Sequence, residues 1–271
     1  YGLVGSEMCI RDRICLITSF SIMDITGRTL NVISLAGLAF AVGIAIVIYN
    51  DGSQIEKDRI LVTYIAFLIV IVFWGAFEQA GGLMNLYAKQ KTDLVLTENF
   101  VVPASWFQSI NPLLIILLGY SVSVFWIVLH KYKFLITSIF KISVGIIIMG
   151  LGFIFMSFAS LESEFYGKSA MYWLVLAYLF HTIGELCTSP TALSFITKLS
   201  PARWSAFMMG AYFAVTGLGN KVAGFVGQLS EGAGEFQVFT GIAIFCTLFG
   251  ILVLLLLKPL KRLTHGAEEM D

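Results

Sequence analysis

Long apolar runs interrupted by single carboxylates constrain this chain more than any other feature. Residues 170–197 form one such run, with Glu185 near its middle and Pro190 five residues on. A second run, about 60–88, carries Glu78. A charged side chain at the centre of a membrane helix costs about 2.5–3.5 kcal/mol on insertion scales, so its default reading is functional. Only 13% of the 271 residues are charged and 58% are hydrophobic, against about 25% charged in a soluble domain. The chain therefore reads as an all-α integral membrane protein.

Seven spans are predicted. The first is 29–49, followed by a polar loop at 50–59 with an Asn-Asp-Gly turn signal. The others run roughly 60–88, 103–129, 134–160, 170–197, 203–228 and 236–257. At about 1.5 Å per residue each covers a hydrocarbon core of about 30 Å with some tilt. Residues 14–26 are apolar but too short to span.

Lysine and arginine set the orientation. Lys57, Arg59, Lys131, Lys133, Lys141, Lys198, Arg203, Lys258, Lys261 and Arg262 fall on one side, and only Lys89, Lys91 and Lys168 on the other. The positive-inside rule puts the 50–59 loop and the C-terminus in the cytoplasm of a cell-membrane protein. The stretches 89–102, 161–169 and 229–235 then face outward, and each carries acids.

Zero formal net charge points away from nucleic acid. The four cysteines show no paired or zinc-ligand spacing, and Cys187 and Cys246 read as small hydrophobes within spans. No metal and no cofactor is expected. The chain offers no HExxH site and no nucleophile set beside a base, which leaves a membrane enzyme built on Glu185 and His181 as a remote reading.

Several polar residues in the spans could carry chemistry. Trp74 and Glu78 lie four apart on one helix face, flanked by Gly75, Gly81 and Gly82. They read as a buried acid beside an aromatic wall, facing a water-filled cavity; the competing reading is a structural carboxylate bonded to Gln79 or a neighbouring helix. Asn111-Pro112 interrupts the third span and frees a carbonyl, which suits either a polar ligand contact or a plain kink. Glu185 shares a face with His181 and Ser189, at i−4 and i+4. A glutamate there can take up and release a proton as its cavity changes. His181 reads first as a packed side chain and second as a proton relay. Lys221 reads as snorkelling to the interface, and Tyr212 and Phe213 as core packing or cavity lining.

Three motifs, FWGAFEQAGG (73–82), WFQSINP (106–112) and GELCTSPTALSFITKLSPAR (184–203), resemble the proton-dependent oligopeptide transporters of the major facilitator superfamily. The resemblance covers about residues 44–271, as the C-terminal six-helix bundle. It implies proton-driven uptake of di- and tripeptides by rocking of two six-helix halves about a central cavity. It further implies that Asn111 and Glu185 hold the peptide amino group and that Trp74 shapes a side-chain pocket beside the polar position Ser189. Glu78 and Glu185 would couple protons, and the driving force would be the proton gradient. Tyr212 stands where family members often have tryptophan, which leaves a different small substrate open.

Two stretches depart from that family. Residues 1–13 contain SEMCIRDR, which reads as translated adapter sequence. Residues 27–43 resemble a membrane helix of resistance-nodulation-division efflux pumps, so 14–43 reads as a foreign segment. The family's ExxERFxYY motif, expected in an N-terminal half, has no counterpart in these 271 residues. The expected partners are small peptides, protons, the lipid bilayer and that missing N-terminal half. Without it the chain is expected to be inactive, as half a transporter or as a non-functional fusion fragment.

Overall fold

A computed structural model describes residues 42–43, 46–47, 49–50, 52–131, 136–230 and 232–267. The adapter-like segment 1–13, the segment 14–40 and most of the expected first span lie outside the described residues. Helix α1 runs Gln54–Phe77 and is followed by a 3-10 turn, Glu78–Ala80, and a short helix α2, Leu83–Lys91. A small hairpin pairs β1, Val95–Thr97, antiparallel with β2, Phe100–Val101. A 3-10 segment, Ala104–Ser109, leads into α3, Ile110–Lys131. The rest is helical: α4 Ser138–Tyr166, α5 Met171–Leu199, α6 Ser205–Leu229, α7 Glu235–Leu255 and α8 Leu257–Leu263.

Local chemistry explains the ends. The expected loop at 50–59 is helical from Gln54 onward, because Ser53 and Glu56 form a capping box. The Ser53 amide donates to Glu56 Oε2 at 2.9 Å, and the Glu56 amide donates to Ser53 Oγ at 3.3 Å. Helix α4 starts on a Thr137 cap and stops at Gly167, whose φ of 84° suits a residue without Cβ.

The expected span 60–88 is not one continuous helix. It breaks at Glu78, turns through Gly81 and Gly82, and resumes as α2. Asn111 and Pro112 do not interrupt a span either. They sit in the first turn of α3, where an amide has no partner within the helix in any case.

Packing divides the helices. Helix α4 lies along α5 and α7, α1 lies along α6, and α3 rests on α5. The α4–α5 approach is backbone to backbone: a Cβ on Gly145 would sit 2.7 Å from the Gly184 carbonyl oxygen. Phe73, Ile146, Met149, Phe153 and Phe195 fill the interior and are wholly buried. Large apolar side chains such as Ile116, Leu117, Phe245 and Leu255 point outward, as a lipid-facing surface requires.

Among the described residues four helical stretches are long and apolar enough to cross a membrane: Gln54–Lys91, Ala104–Lys131, Ser138–Tyr166 and Glu235–Leu255. Helices α5 and α6 have the length but carry more polar residues, including His181, Thr182 and Glu185 on α5 and Asn220 and Lys221 on α6. These two helices supply much of the site, together with residues of α1 and α3.

Candidate functional site

The break after α1 places polar groups among apolar helices, and Gln79 and the Ala80 carbonyl there are met by partners. Gln79 is buried, and its Nε2 donates to the carbonyls of Gly75 and Ala223, both at 3.1 Å. It thus ties the turn to α6 and does not bond Glu78. The Tyr178 hydroxyl of α5 donates to the Ala80 carbonyl at 3.1 Å. Irregular backbone in a membrane persists where protein satisfies it in this way. Glu78 begins the 3-10 turn and is half-buried, with its side chain on a cavity of about 730 Å³ that also meets Gln90, Asn220 and Glu235.

A second cavity, of about 520 Å³, lies between four helices. Trp74 comes from α1, Ile115 from α3, Glu185, Ser189 and Pro190 from α5, and Tyr212, Phe213 and Thr216 from α6. Pro190 has no amide to give the Leu186 carbonyl, so α5 forgoes one backbone hydrogen bond beside the cavity. Helices α1 and α6 close to contact beside it, because Gly219 faces Trp74: a Cβ there would lie 2.6 Å from the Trp74 Cβ.

Asn111 joins α3 to this wall. Its Nδ2 donates to Glu185 Oε2 at 2.8 Å and to Thr182 Oγ1 at 3.1 Å. The Thr182 hydroxyl in turn donates to the Tyr178 carbonyl at 2.7 Å. The amide therefore fixes one carboxylate oxygen and leaves Glu185 on the cavity surface.

The structure thus brings together five of the six candidate residues. Trp74, Glu185, Ser189 and Tyr212 line one cavity, and Asn111 is bonded to Glu185. Glu78 sits on the adjacent, larger cavity. His181 is not joined to Glu185. It is buried against Phe153, ring centroids 4.5 Å apart, with neither ring nitrogen partnered within the structure. Thr182 is the member that sequence reasoning missed. Its spacing three before Glu185, on the same face, was the available signal. Cys187 and Cys246 are buried free thiols. Among the described residues no group of three His, Cys, Asp or Glu is placed to hold a metal.

A bundle of membrane-length helices around a cavity, walled by one half-buried acid and its amide partner, is the architecture of a multi-pass integral membrane protein. The POT family model matches residues 26–240, and the chain belongs to that family. The matched span takes in residues 27–43. The peptide transporter YePEPT of Yersinia enterocolitica is 36% identical over 223 residues, covering 80% of this chain and 43% of that protein. A di-/tripeptide transporter of Lactococcus lactis subsp. cremoris is 28% identical over 254 residues, covering 92% of this chain and 50% of its own length. The crystal structure of peptide transporter POT in complex with sulfate superposes with a TM-score of 0.76 at 25% identity, over 96% of this chain and 53% of that one. A mutant of peptide transporter POT in complex with alafosfalin gives 0.75 at 25% identity, over the same shares. The chain spans about half the length of these relatives.

Proposed function

We propose that this chain is the C-terminal bundle of a proton-coupled symporter that takes up di- and tripeptides by alternating access. The observation that carries the reading is the Asn111–Glu185 pair, 2.8 Å apart, on a cavity that Trp74, Ser189 and Tyr212 also line. An amide oxygen beside a carboxylate makes an acceptor pair for a peptide ammonium group. Trp74 and Tyr212 supply an apolar wall for a side chain, and Ser189 supplies a hydroxyl. Glu185 would release its proton as the ammonium arrives. Glu78, on its own cavity at the break after α1, would take the second coupling role.

The lysine and arginine distribution supports a cell-membrane orientation with a cytoplasmic C-terminus. The half of the cavity that would hold the peptide carboxylate belongs to an N-terminal bundle, and the 271 residues alone are inactive in this reading.

Uptake into proteoliposomes tests this, with a longer protein that carries this sequence and an N-terminal bundle. Glu185→Gln abolishes accumulation of a labelled dipeptide while the protein stays folded. Glu78→Gln removes the dependence on the proton gradient and leaves exchange. Survival of accumulation in Glu185→Gln would make Glu185 structural. Robust proton-driven uptake by the 271-residue chain itself would refute the half-transporter reading. A long read across codons 1–60 of the source DNA checks the adapter-like and efflux-pump-like segments: an upstream frame encoding six further spans makes them an artefact, and the junction as written makes them a fusion.

A further inference from the structure

We infer that the groove between α3 and α4 is a binding site for one anionic phospholipid, in the leaflet at the C-terminal end of α3. Two neighbouring features meet at Trp126, the residue of α3 that is buried. The first is an apolar groove of about 440 Å³ on one flank of Trp126, walled by Leu118, Phe125 and Leu129 of α3 and by Phe140, Val144 and Ile148 of α4. From Leu118 to Leu129 the helix rises about 16 Å, the depth of one leaflet of a hydrocarbon core about 30 Å thick. That is the length of an acyl chain, and a peptide substrate would find almost no polar atom there.

The second feature is a basic cavity of about 760 Å³ on the other flank of Trp126, where His130, Lys131 and Lys141 converge. The Lys141 ammonium stands 5.6 Å from the Trp126 ring centroid, which holds it beside the groove mouth. Among the described residues no carboxylate lines either cavity. Two lysines at the end of a leaflet-deep apolar groove match a lipid phosphate above an acyl chain, as basic pockets between membrane helices match anionic head groups. The position has a structural consequence. Asn111 ties the other end of α3 to α5, whereas at this end Trp126 meets Phe140 and Lys141 of α4, and Ile183 and Cys187 of α5 form the groove floor. A bound lipid would bridge α3 and α4 where protein contacts are few.

Native mass spectrometry of the purified 271-residue chain in neutral detergent tests the site, with phosphatidylglycerol and phosphatidylcholine of equal chain length. Phosphatidylglycerol should be retained about thirtyfold better, given two lysines near the surface. Lys131→Gln with Lys141→Gln should bring the two lipids to within about twofold. Val144→Phe, which fills the groove and keeps both charges, should weaken retention of both lipids. Equal retention by the unaltered chain overturns the proposal. So does a preference that survives the double substitution, or retention that ignores Val144→Phe. Complete displacement of phosphatidylglycerol by millimolar inorganic phosphate would mean an anion site without a tail groove, and also overturns it. Each variant is checked for helical circular dichroism, and the single Lys131→Gln change, at an exposed position, reads the charge contribution should the double variant fail to fold.

Discussion

Helices α3 and α4 are both long and apolar, yet the fold treats them in opposite ways. Helix α4 buries a residue at nearly every turn, from Ile139 to Ser163. Helix α3 buries Trp126 and leaves Ile116, Leu117, Tyr120 and Ile127 largely exposed. Hydrophobicity does not separate them, since lipid is as apolar as leucine and supplies no force to press helices together. Small residues do. Helix α4 puts Gly145, Gly150, Gly152, Ser157 and Ala159 on its protein face, so α5 and α7 approach to backbone contact. Helix α3 has Gly119, where a Cβ would meet only Leu186 Cδ2, at 3.9 Å.

The sharpest test of that contrast is to add the same side chain to both helices. Gly145→Val drives a Cβ to 2.1 Å from Thr188 Oγ1 and 2.7 Å from the Gly184 carbonyl oxygen. The hydroxyl can turn away but the carbonyl cannot, so α4 and α5 must separate. Overpacking of this kind costs about 1–3 kcal/mol, occasionally more. The expected result is loss of the monodisperse peak, or a much lower melting temperature, in detergent size-exclusion thermal assays. Gly119→Val should leave both nearly unchanged. Equal damage from the two substitutions would show that α3 is packed as tightly as α4.

Asn111 comes next in size, because it is the polar tie that holds α3 to α5. Asn111→Leu removes both cross-helix bonds and leaves Glu185 and Thr182 facing an apolar side chain. Cross-helix hydrogen bonds in membranes average about 0.6 kcal/mol and reach about 1.7, so the expected loss is roughly 1 kcal/mol, read as a modest fall in melting temperature. Asn111→Asp separates structure from function. As a carboxylate it can only accept, so it bonds Thr182 only if that hydroxyl leaves the Tyr178 carbonyl, and it sets a second carboxylate against Glu185. If Asn111→Leu melts as the unaltered chain does, α3 is held by packing after all.

The same contrast marks what the sequence could and could not disclose. The four spans from 134 to 257 were legible because their apolar runs are bounded by charged or glycine-bearing turns. The meeting of Asn111 with Glu185 was legible only through motif resemblance. Periodicity shows that Thr182, Glu185 and Ser189 share a face of α5, but not which helix that face meets. The break at Glu78 was hidden because Gly81 and Gly82 suit a bent helix as well as a broken one. The choice is made by Gln79 and Tyr178, which satisfy the freed backbone from other parts of the chain. The start of α1 was missed although Ser53-x-x-Glu56 is a capping-box signature; the Asn-Asp-Gly sequence beside it outweighed the box.

The smallest expected effect concerns the end of α1 remote from the site, where hydrogen bonding takes the place of close packing. The Arg59 guanidinium donates to the carbonyls of Thr264 at 3.0 Å and His265 at 3.2 Å, and His265 Nε2 lies 2.6 Å from Asp58 Oδ2. His265 holds a φ of 47°, which a residue with a Cβ adopts at some cost, so these bonds keep the turn after α8 in place. Hydrogen bonds contribute about 0.5–1.5 kcal/mol net, and those of Arg59 are only part-buried or exposed. Arg59→Gln should therefore leave the melting temperature nearly fixed and loosen only the tail, seen as several-fold faster tryptic cleavage after Lys261 and Arg262. Unchanged cleavage in Arg59→Gln together with faster cleavage in Asp58→Asn would assign the hold to the His265–Asp58 contact. A large fall in stability from Arg59→Gln would instead show that the tail is part of the packed core, joining it to α4 and removing it from the loosely held class that α3 represents.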